Sequence, residues 1–445
     1  MISRRGVLAA GAALGLAAAS TLPRRALAHG RVPYGGRLEL HAPWPLATMD
    51  PHRLDDLAAG FFGEAVFDTL YARDDAGGFV PSLAESDPEP DGASLRVALR
   101  DGVRFASGTA FTAAVAAASI ARARGRDGGA WLAEVPAPRV DKKTLLFPMR
   151  DARHLVHALA SPIVSIVAPR FAPERPDGTG PFRAEVQAGT LTLVRNTIAA
   201  SGPSFLDAVV VRHAPDLVTS LRAFESGTDD VGWLGSFLHE PRSGARNFDA
   251  GVLGWAVLRT GRDAGPLDTP GTAQALADGV PHAALASLVV GPPWTASPAT
   301  WTGPPSDLLV REDAPWLVEV ARALAVALSS PGHEVRCVPV AASDLAQRRA
   351  SRAFVLMLDV VRPVGPGTLG ALLGLATADD PATAAALARH PPRVELPPRT
   401  AARTMRLGVV AEVRLQGGRA PDVVLPPSPW GRGVDWGSAS RATRF

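Results

Sequence analysis

Two histidines, His154 and His157, stand three residues apart in a stretch, 153–159, whose apolar spacing predicts a short helix. That spacing puts both imidazoles on one helix face, as half of a metal site would have them. Neither an acid nor a third histidine stands nearby at a useful spacing, so the pair is expected on a helix surface and no metal is expected. Cys337, the single cysteine, lies mid-way along the alternating stretch 334–340 with no sequence neighbour to activate a thiolate. Acyl transfer through serine would use Gly-x-Ser-x-Gly or Ser-x-x-Lys, and neither occurs. Gly178-Thr179-Gly180 is too short to cradle a phosphate, and no Gly-x-Gly-x-x-Gly joins a strand to a helix. No catalytic residue and no cofactor is expected, although serines, histidines and aspartates scattered along the chain are free to converge in space.

The elements that would position a site are clearer. Gly178-Thr179-Gly180-Pro181-Phe182 reads as a tight backbone crossing that bulkier residues could not make. Period-two alternation follows it, breaks at Ala188-Gly189 and resumes through Arg195, which predicts a β-hairpin. Residues 37–42 alternate as a strand and run into Pro43-Trp44-Pro45-Leu46-Ala47-Thr48, where the prolines end the strand and leave Trp44 and Thr48 on a loop at its tip. Such strand-end loops hold ligands in open α/β sheets. Apolar residues at helical spacing predict a helix over 54–71, and Thr112 is placed to cap another over 113–123. Strands are predicted over 95–100, 142–149, 334–340 and 354–359, and an amphipathic helix over 316–329. The Pro- and Gly-rich end from Pro426 is expected to be loose.

With 445 residues, 47% hydrophobic and 20% charged, the chain has enough apolar material for two or three cored domains. Its first 28 residues do not belong to them. Paired arginines at 4 and 5, a weakly apolar Gly/Ala/Leu run from Gly6 to Leu22 and Ala26-Leu27-Ala28 predict a twin-arginine export signal cleaved after Ala28. The run is marginal for a membrane span, which takes about 20 apolar residues. Those 28 residues carry four arginines and no acid, so cleavage takes the formal net charge from +3 to −1. A near-neutral surface gives nucleic acid no reason to bind. The lone cysteine excludes a disulfide framework, and none stands beside the cleavage site to carry a lipid. A protein soluble in the periplasm is expected.

Six short motifs then occur in order: Met49-Asp50-Pro51-His52, Leu70-Tyr71, Pro81-Ser82-Leu83-Ala84-Glu85-Ser86, Leu99-Arg100-Asp101-Gly102-Val103-Arg104-Phe105 with Gly108-Thr109 and Thr112-Ala113, Gly178-Thr179-Gly180-Pro181-Phe182, and Phe205-Leu206-Asp207-Ala208-Val209-Val210. In this order the chain resembles the extracellular solute-binding proteins that deliver peptides, nickel complexes and related solutes to ABC importers (family 5), as a divergent member. The resemblance implies an α/β, two-lobed periplasmic-binding-protein (Venus-flytrap) fold with mixed sheets and an extra subdomain. Lobe I would comprise residues 37–55, 178–262 and 404–445, the inserted subdomain 56–177, and lobe II 263–403. It further implies a monomer that captures a small solute, peptide-like or other, between its lobes and presents it to an ABC permease. Trp44, Thr48, Trp233, Arg259, Trp294, Asp359 and Arg362 are the candidate ligand-binding residues.

Departures from the family pattern bear on the ligand. Where the family usually carries a tryptophan and an Asp-rich loop, this chain has Asp359-Val360-Val361-Arg362-Pro363, one acid with an arginine nearby. The family's Asn-x-x-Tyr-Trp is here Asn196-Thr197-Ile198-Ala199-Ala200. An anionic or apolar ligand engaging Arg259 or Arg362 is therefore as consistent with the sequence as a peptide. Two other classes stay open: an envelope scaffold that kept the fold and lost ligand binding, and a Tat-exported enzyme using residues that no motif betrays.

Overall fold

The computed structural model describes residues 34–187, 189–233, 242–281, 285, 299–392 and 394–442. Its centre is the strand that opens the described chain. β1 (Arg37–Ala42) alternates as predicted, burying Leu38, Leu40 and Ala42 and leaving Glu39 and His41 partly exposed.

Smaller sheets follow. α1 (Leu57–Val66) leads to β2 (Tyr71–Arg73), which pairs antiparallel with β3 (Phe79–Pro81). β4 (Glu89–Asp91), β5 (Ser94–Ala98), β6 (Arg139–Asp141) and β7 (Thr144–Phe147) make a four-stranded sheet in the order β4-β5-β7-β6. α2 (Ala113–Arg124), capped by the Thr112 hydroxyl, packs on β6 and β7, and α3 (Ala152–Ala160) packs on β2 and β3. Leu95, Val97, Phe105, Ile120, Phe147 and Leu155 belong to a second hydrophobic core. His157 of α3 stacks on Trp131, with ring centroids 5.0 Å apart, and on Phe79 at 5.4 Å.

The helix expected over 54–71 is shorter, and the glycine crossing supplies the reason. The Val66 carbonyl accepts from the Gly180 amide at 3.0 Å, and Thr179 Oγ1 donates to Asp68 at 2.7 Å. The crossing chain lies against the helix end so closely that a Cβ on Gly178 would sit 2.0 Å from the Val66 oxygen. No side chain fits there, so both glycines are required by contact rather than by torsion. Leu70 and Tyr71 continue the helical spacing by coincidence; they belong to the second core, whereas Phe61 and Phe62 belong to the main core.

The chain then builds the main sheet. β8 (Phe182–Gln187) and β9 (Thr190–Arg195) form the expected hairpin, and β10 (Ala208–His213) lies between β9 and β1, parallel to β1. α4 (Leu217–Glu225), β11 (Val231–Trp233) and the 15-residue β12 (Arg246–Thr260) follow. Beyond them come α5 (Thr272–Gly279), β13 (Ser306–Arg311), α6 (Pro315–Leu328), β14 (Val335–Val340), α7 (Ala342–Ser351) and β15 (Leu356–Val361). After α8 (Gly367–Asp379), α9 (Pro381–Arg389) and α10 (Pro398–Ala402), β16 (Leu407–Arg419) returns beside β12.

The strands join in the order β14-β13-β15-β12-β16-β11-β1-β10-β9-β8. β1 and β13 lie in parallel groups on opposite sides of the antiparallel pair β12 and β16. These two long strands are shared by both halves. Register shifts interrupt their ladder between Asp249 and Val252, Val252 and Gly254, and Ala256 and Val257, and such bulges bend and twist a sheet. β15 is buried at every residue, as its nearly all-apolar sequence predicts.

The C-terminal segment is not loose. Trp430, Val434 and Trp436 are 8%, 3% and 1% exposed, and the Trp436 indole donates to the Phe61 carbonyl at 3.0 Å. Ser428 donates to Glu64 at 2.8 Å, and Arg432 donates to the Gly365 carbonyl at 2.8 Å. Tryptophans among the prolines and glycines supply the burial that composition alone concealed.

Candidate functional site

A cavity of about 490 Å³ opens beyond the ends of β1 and β13. This is the carboxyl end of two strands with parallel neighbours, where α/β sheets present loops and helix starts to ligands. Trp44, Thr48, Asp50, Arg53, Asp55 and Asp56 reach it from the loop after β1, and Arg122 and Arg126 from the end of α2 and just beyond. Phe171 adds an aromatic wall, Arg311 ends β13, Trp316 starts α6, and Arg349 and Asp359 come from α7 and β15.

The aromatic wall is fixed from behind. Trp44, held between two prolines and 1% exposed, lies 6.0 Å from Phe61 and 5.7 Å from Trp233. Trp233 in turn packs on Phe61 at 5.2 Å and Phe248 at 5.7 Å and donates its indole N–H to the His41 carbonyl. Edge-to-face and tilted pairs of this kind restrict ring rotation as well as excluding water. The indole N–H groups of Trp44 and Trp316 are buried with no acceptor among the described residues.

An ionic chain forms the floor. Arg349 donates Nη2 to Asp55 at 2.6 Å and Nη1 to Asp359 at 2.8 Å, bridging the loop after β1 to β15. Arg53 completes Asp55 with bonds of 3.0 and 2.9 Å, and Arg259 approaches Asp359 at 3.3 Å. Burial pushes both carboxyls up, yet Arg349 outweighs it and, with Arg53 at Asp55 and Arg259 at Asp359, holds them below the ordinary carboxylate range. The same carboxylates, Asp359 foremost, raise the Arg349 guanidinium above its usual value.

Asp56 behaves in the opposite way. It caps α1, accepting from the Ala59 amide at 2.8 Å, and also accepts from the Asp50 amide at 2.8 Å and from Thr48 Oγ1 at 3.4 Å. With no cation bonded to it, burial pushes its carboxyl up to about 6. Nearby, Arg122 grips Asp50 with bonds of 2.8 and 2.7 Å and lies 4.7 Å over the Phe171 ring. His52 is held neutral, its pKa lowered by burial to about 4. Nε2 faces the Ser165 carbonyl at 2.8 Å, so Nε2 carries the proton and Nδ1 accepts from Arg122 at 2.7 Å.

Of the residues expected from the sequence, Trp44, Thr48 and Asp359 line the cavity together. Trp233 lies one ring behind Trp44. Arg259 lies behind Asp359, 6% exposed, and donates to the Ala378 carbonyl. Arg362 is 7% exposed beneath the loop after β1, where its side chain donates to the Arg53 carbonyl and its amide to the Leu54 carbonyl at 2.8 Å. Trp294 lies outside the described residues. Sequence reasoning missed Asp55, Arg122, Arg126, Phe171, Arg311, Trp316 and Arg349. Asp55-Asp56 before a helix start carried a visible capping signal, but nothing in the sequence paired Asp55 with an arginine 294 positions away.

Residues 78–325 match the family described as bacterial extracellular solute-binding proteins, family 5 Middle. No curated protein sequence matches the chain. Among solved structures, the chain is similar to the oligopeptide-binding protein AppA from Bacillus subtilis in complex with a nonapeptide, at 14% identity and a TM-score of 0.69, covering 93% of this chain and 100% of that one. It is also similar to NikA from Staphylococcus aureus in complex with Ni(L-His)2, at 15% identity and a TM-score of 0.67, covering 91% and 99%. AgaA from A. tumefacien R10 in complex with agropinic acid is similar at 16% identity and a TM-score of 0.64, covering 92% and 99%. At such identities these structures establish the two-lobed fold, and the family match, which spans more than half of the sequence, establishes membership. The chain belongs to the bacterial extracellular solute-binding proteins of family 5.

Proposed function

We propose that this chain is an exported receptor that captures a small solute in the 490 Å³ cavity and hands it to an ABC importer. The observation that carries this reading is the cavity's joint lining by the β1 loop, the end of α2 and the β13 to β15 side of the sheet. A ligand touching all three favours the arrangement that brings them together, and its differential affinity for that arrangement drives closure. The volume falls in the range of small-molecule pockets, roughly 300–1,000 Å³. Trp44, Thr48 and Asp359 are proposed to contact the solute, and Trp233, Arg259 and Arg362 to hold those contacts in place. The lobes are proposed to follow the division 37–55 with 178–262 and 404–445 against 263–403, with 56–177 inserted and β12 and β16 as hinge strands. Export by a twin-arginine signal over residues 1–28 would place the chain beside its permease. The fold is known to carry peptide, metal-chelate and small organic-acid ligands in AppA, NikA and AgaA.

Native mass spectrometry of the protein recovered from its own exported compartment tests this. A discrete small molecule released by mild denaturation, whose retention weakens at least tenfold in Trp44→Ala, is the expected result. A bare protein with no thermal shift across peptides, sugars, metal chelates and organic acids would move the reading to a scaffold.

A further inference from the structure

The cavity's own bonding decides which ligand charge it can accept. Four carboxylates line it, and each of their eight oxygens already accepts a hydrogen bond from the chain. Asp50 is taken by Arg122 and the His52 amide, and Asp55 by Arg53 and Arg349. Asp56 is taken by the Ala59 and Asp50 amides, and Asp359 by Arg349, Arg259 and the Val360 amide. A ligand ammonium would have to displace an internal guanidinium to reach Asp50, Asp55 or Asp359, leaving that arginine partly buried without its partner, and at Asp56 it would have to compete with two backbone amides.

Donors are in surplus. Arg126 is exposed at the rim, and its guanidinium has no hydrogen-bond or ion-pair partner among the described residues. The indole N–H groups of Trp44 and Trp316 have no acceptor either. Five arginines face four aspartates in the lining. The charged groups left to recognise a ligand therefore donate hydrogen bonds and carry positive charge, and the acceptors left beside them, such as the Ser343 hydroxyl, are uncharged.

We infer that the solute is an acid without a basic amine: a carboxylate-bearing, acceptor-rich molecule held by Arg126 and the two indoles, with Arg349 serving as a built-in cation between Asp55 and Asp359. This rests on the solute-capture reading. It replaces the ligand contacts expected at Arg259 and Arg362, whose side chains are engaged behind the wall.

The test is capture by the mature exported chain from an extract of small metabolites, followed by desalting, release and mass spectrometry before and after treatment with an amine-labelling reagent. The released compound should carry an acid and resist labelling, and Arg126→Glu should weaken its retention at least tenfold while the melting temperature of the empty protein stays within about 1 °C. An amine-labelled compound, or equal retention by Arg126→Glu, overturns the charge assignment and leaves solute capture standing. Absence of any captured compound overturns both.

Discussion

Arg349 arrives at the cavity already holding Asp55 and Asp359, whereas Arg126, at the rim of the same cavity, holds no carboxylate among the described residues. The difference follows from burial. Asp359 is 2% exposed, and a charge so far from water persists only if another charge meets it with good geometry. The rim is wet, so a guanidinium can wait there for a partner at little cost. On the proposed reading floor and rim divide stability from recognition, and substitutions at the two places should have opposite signatures.

Arg349→Ala should separate them most sharply. It leaves buried Asp359 with Arg259 alone and half-buried Asp55 with Arg53 alone, and breaking such a network costs roughly 3 kcal/mol. Chemical denaturation should show a large fall in stability, and the variant should take up amine-bearing probes, such as trialanine, that the parent refuses. Unchanged stability would mean that the floor is no more coupled than the rim.

A pH series distinguishes Asp56 from its paired neighbours. Its folded pKa of about 6 lies above an aspartate's ordinary 3.8, so ionisation destabilises the fold. Stability is therefore lost as pH rises from about 4 through 6, and the cost is full above that. Because solvent reaches the group in part, the cost is about 2 kcal/mol. Asp55 and Asp359, held low, contribute stability above 3.8 that is lost only as pH falls below it. The stability of the parent relative to Asp56→Asn should accordingly grow between pH 7.5 and 4.5. A difference that is flat over that window would place Asp56 with the paired acids.

Asp55→Asn should cost less, roughly 1–2 kcal/mol, since Arg349 keeps Asp359 and an amide oxygen still accepts. A loss as large as that of Arg349→Ala would mean that the β1 loop docks on α7 through this bond alone. Arg126→Ala is the smallest effect on folding, within about 0.5 kcal/mol in equilibrium unfolding. Its effect should appear in ligand retention, and a larger stability loss would show that the rim is structural.

Local patterns carried much of the fold. Period-two alternation marked β1, β8 and β9, a threonine cap marked α2, and the glycine pair at 178 and 180 marked a close crossing. Pleat and cap are decided by neighbours within a few residues, whereas the glycine pair announced a close approach without naming Val66 as the chain it meets. The end of α1 was not legible, because the chain that terminates it arrives from Gly180, and neither was the packed tail, whose tryptophans find their partners on α1 and β3.

The same boundary runs through the site. The sequence by itself determined that Trp44 and Thr48 sit on a strand-end loop and that an acid and an arginine stand near the end of β15, because prolines stop strands and apolar runs bury them. Only the tertiary structure decided that Arg362 faces away under the loop, that Arg259 braces Asp359, and that Arg349 and Arg126 share the cavity. Ion pairing depends on distance and desolvation across segments hundreds of residues apart, and neither quantity is written in the order of the residues.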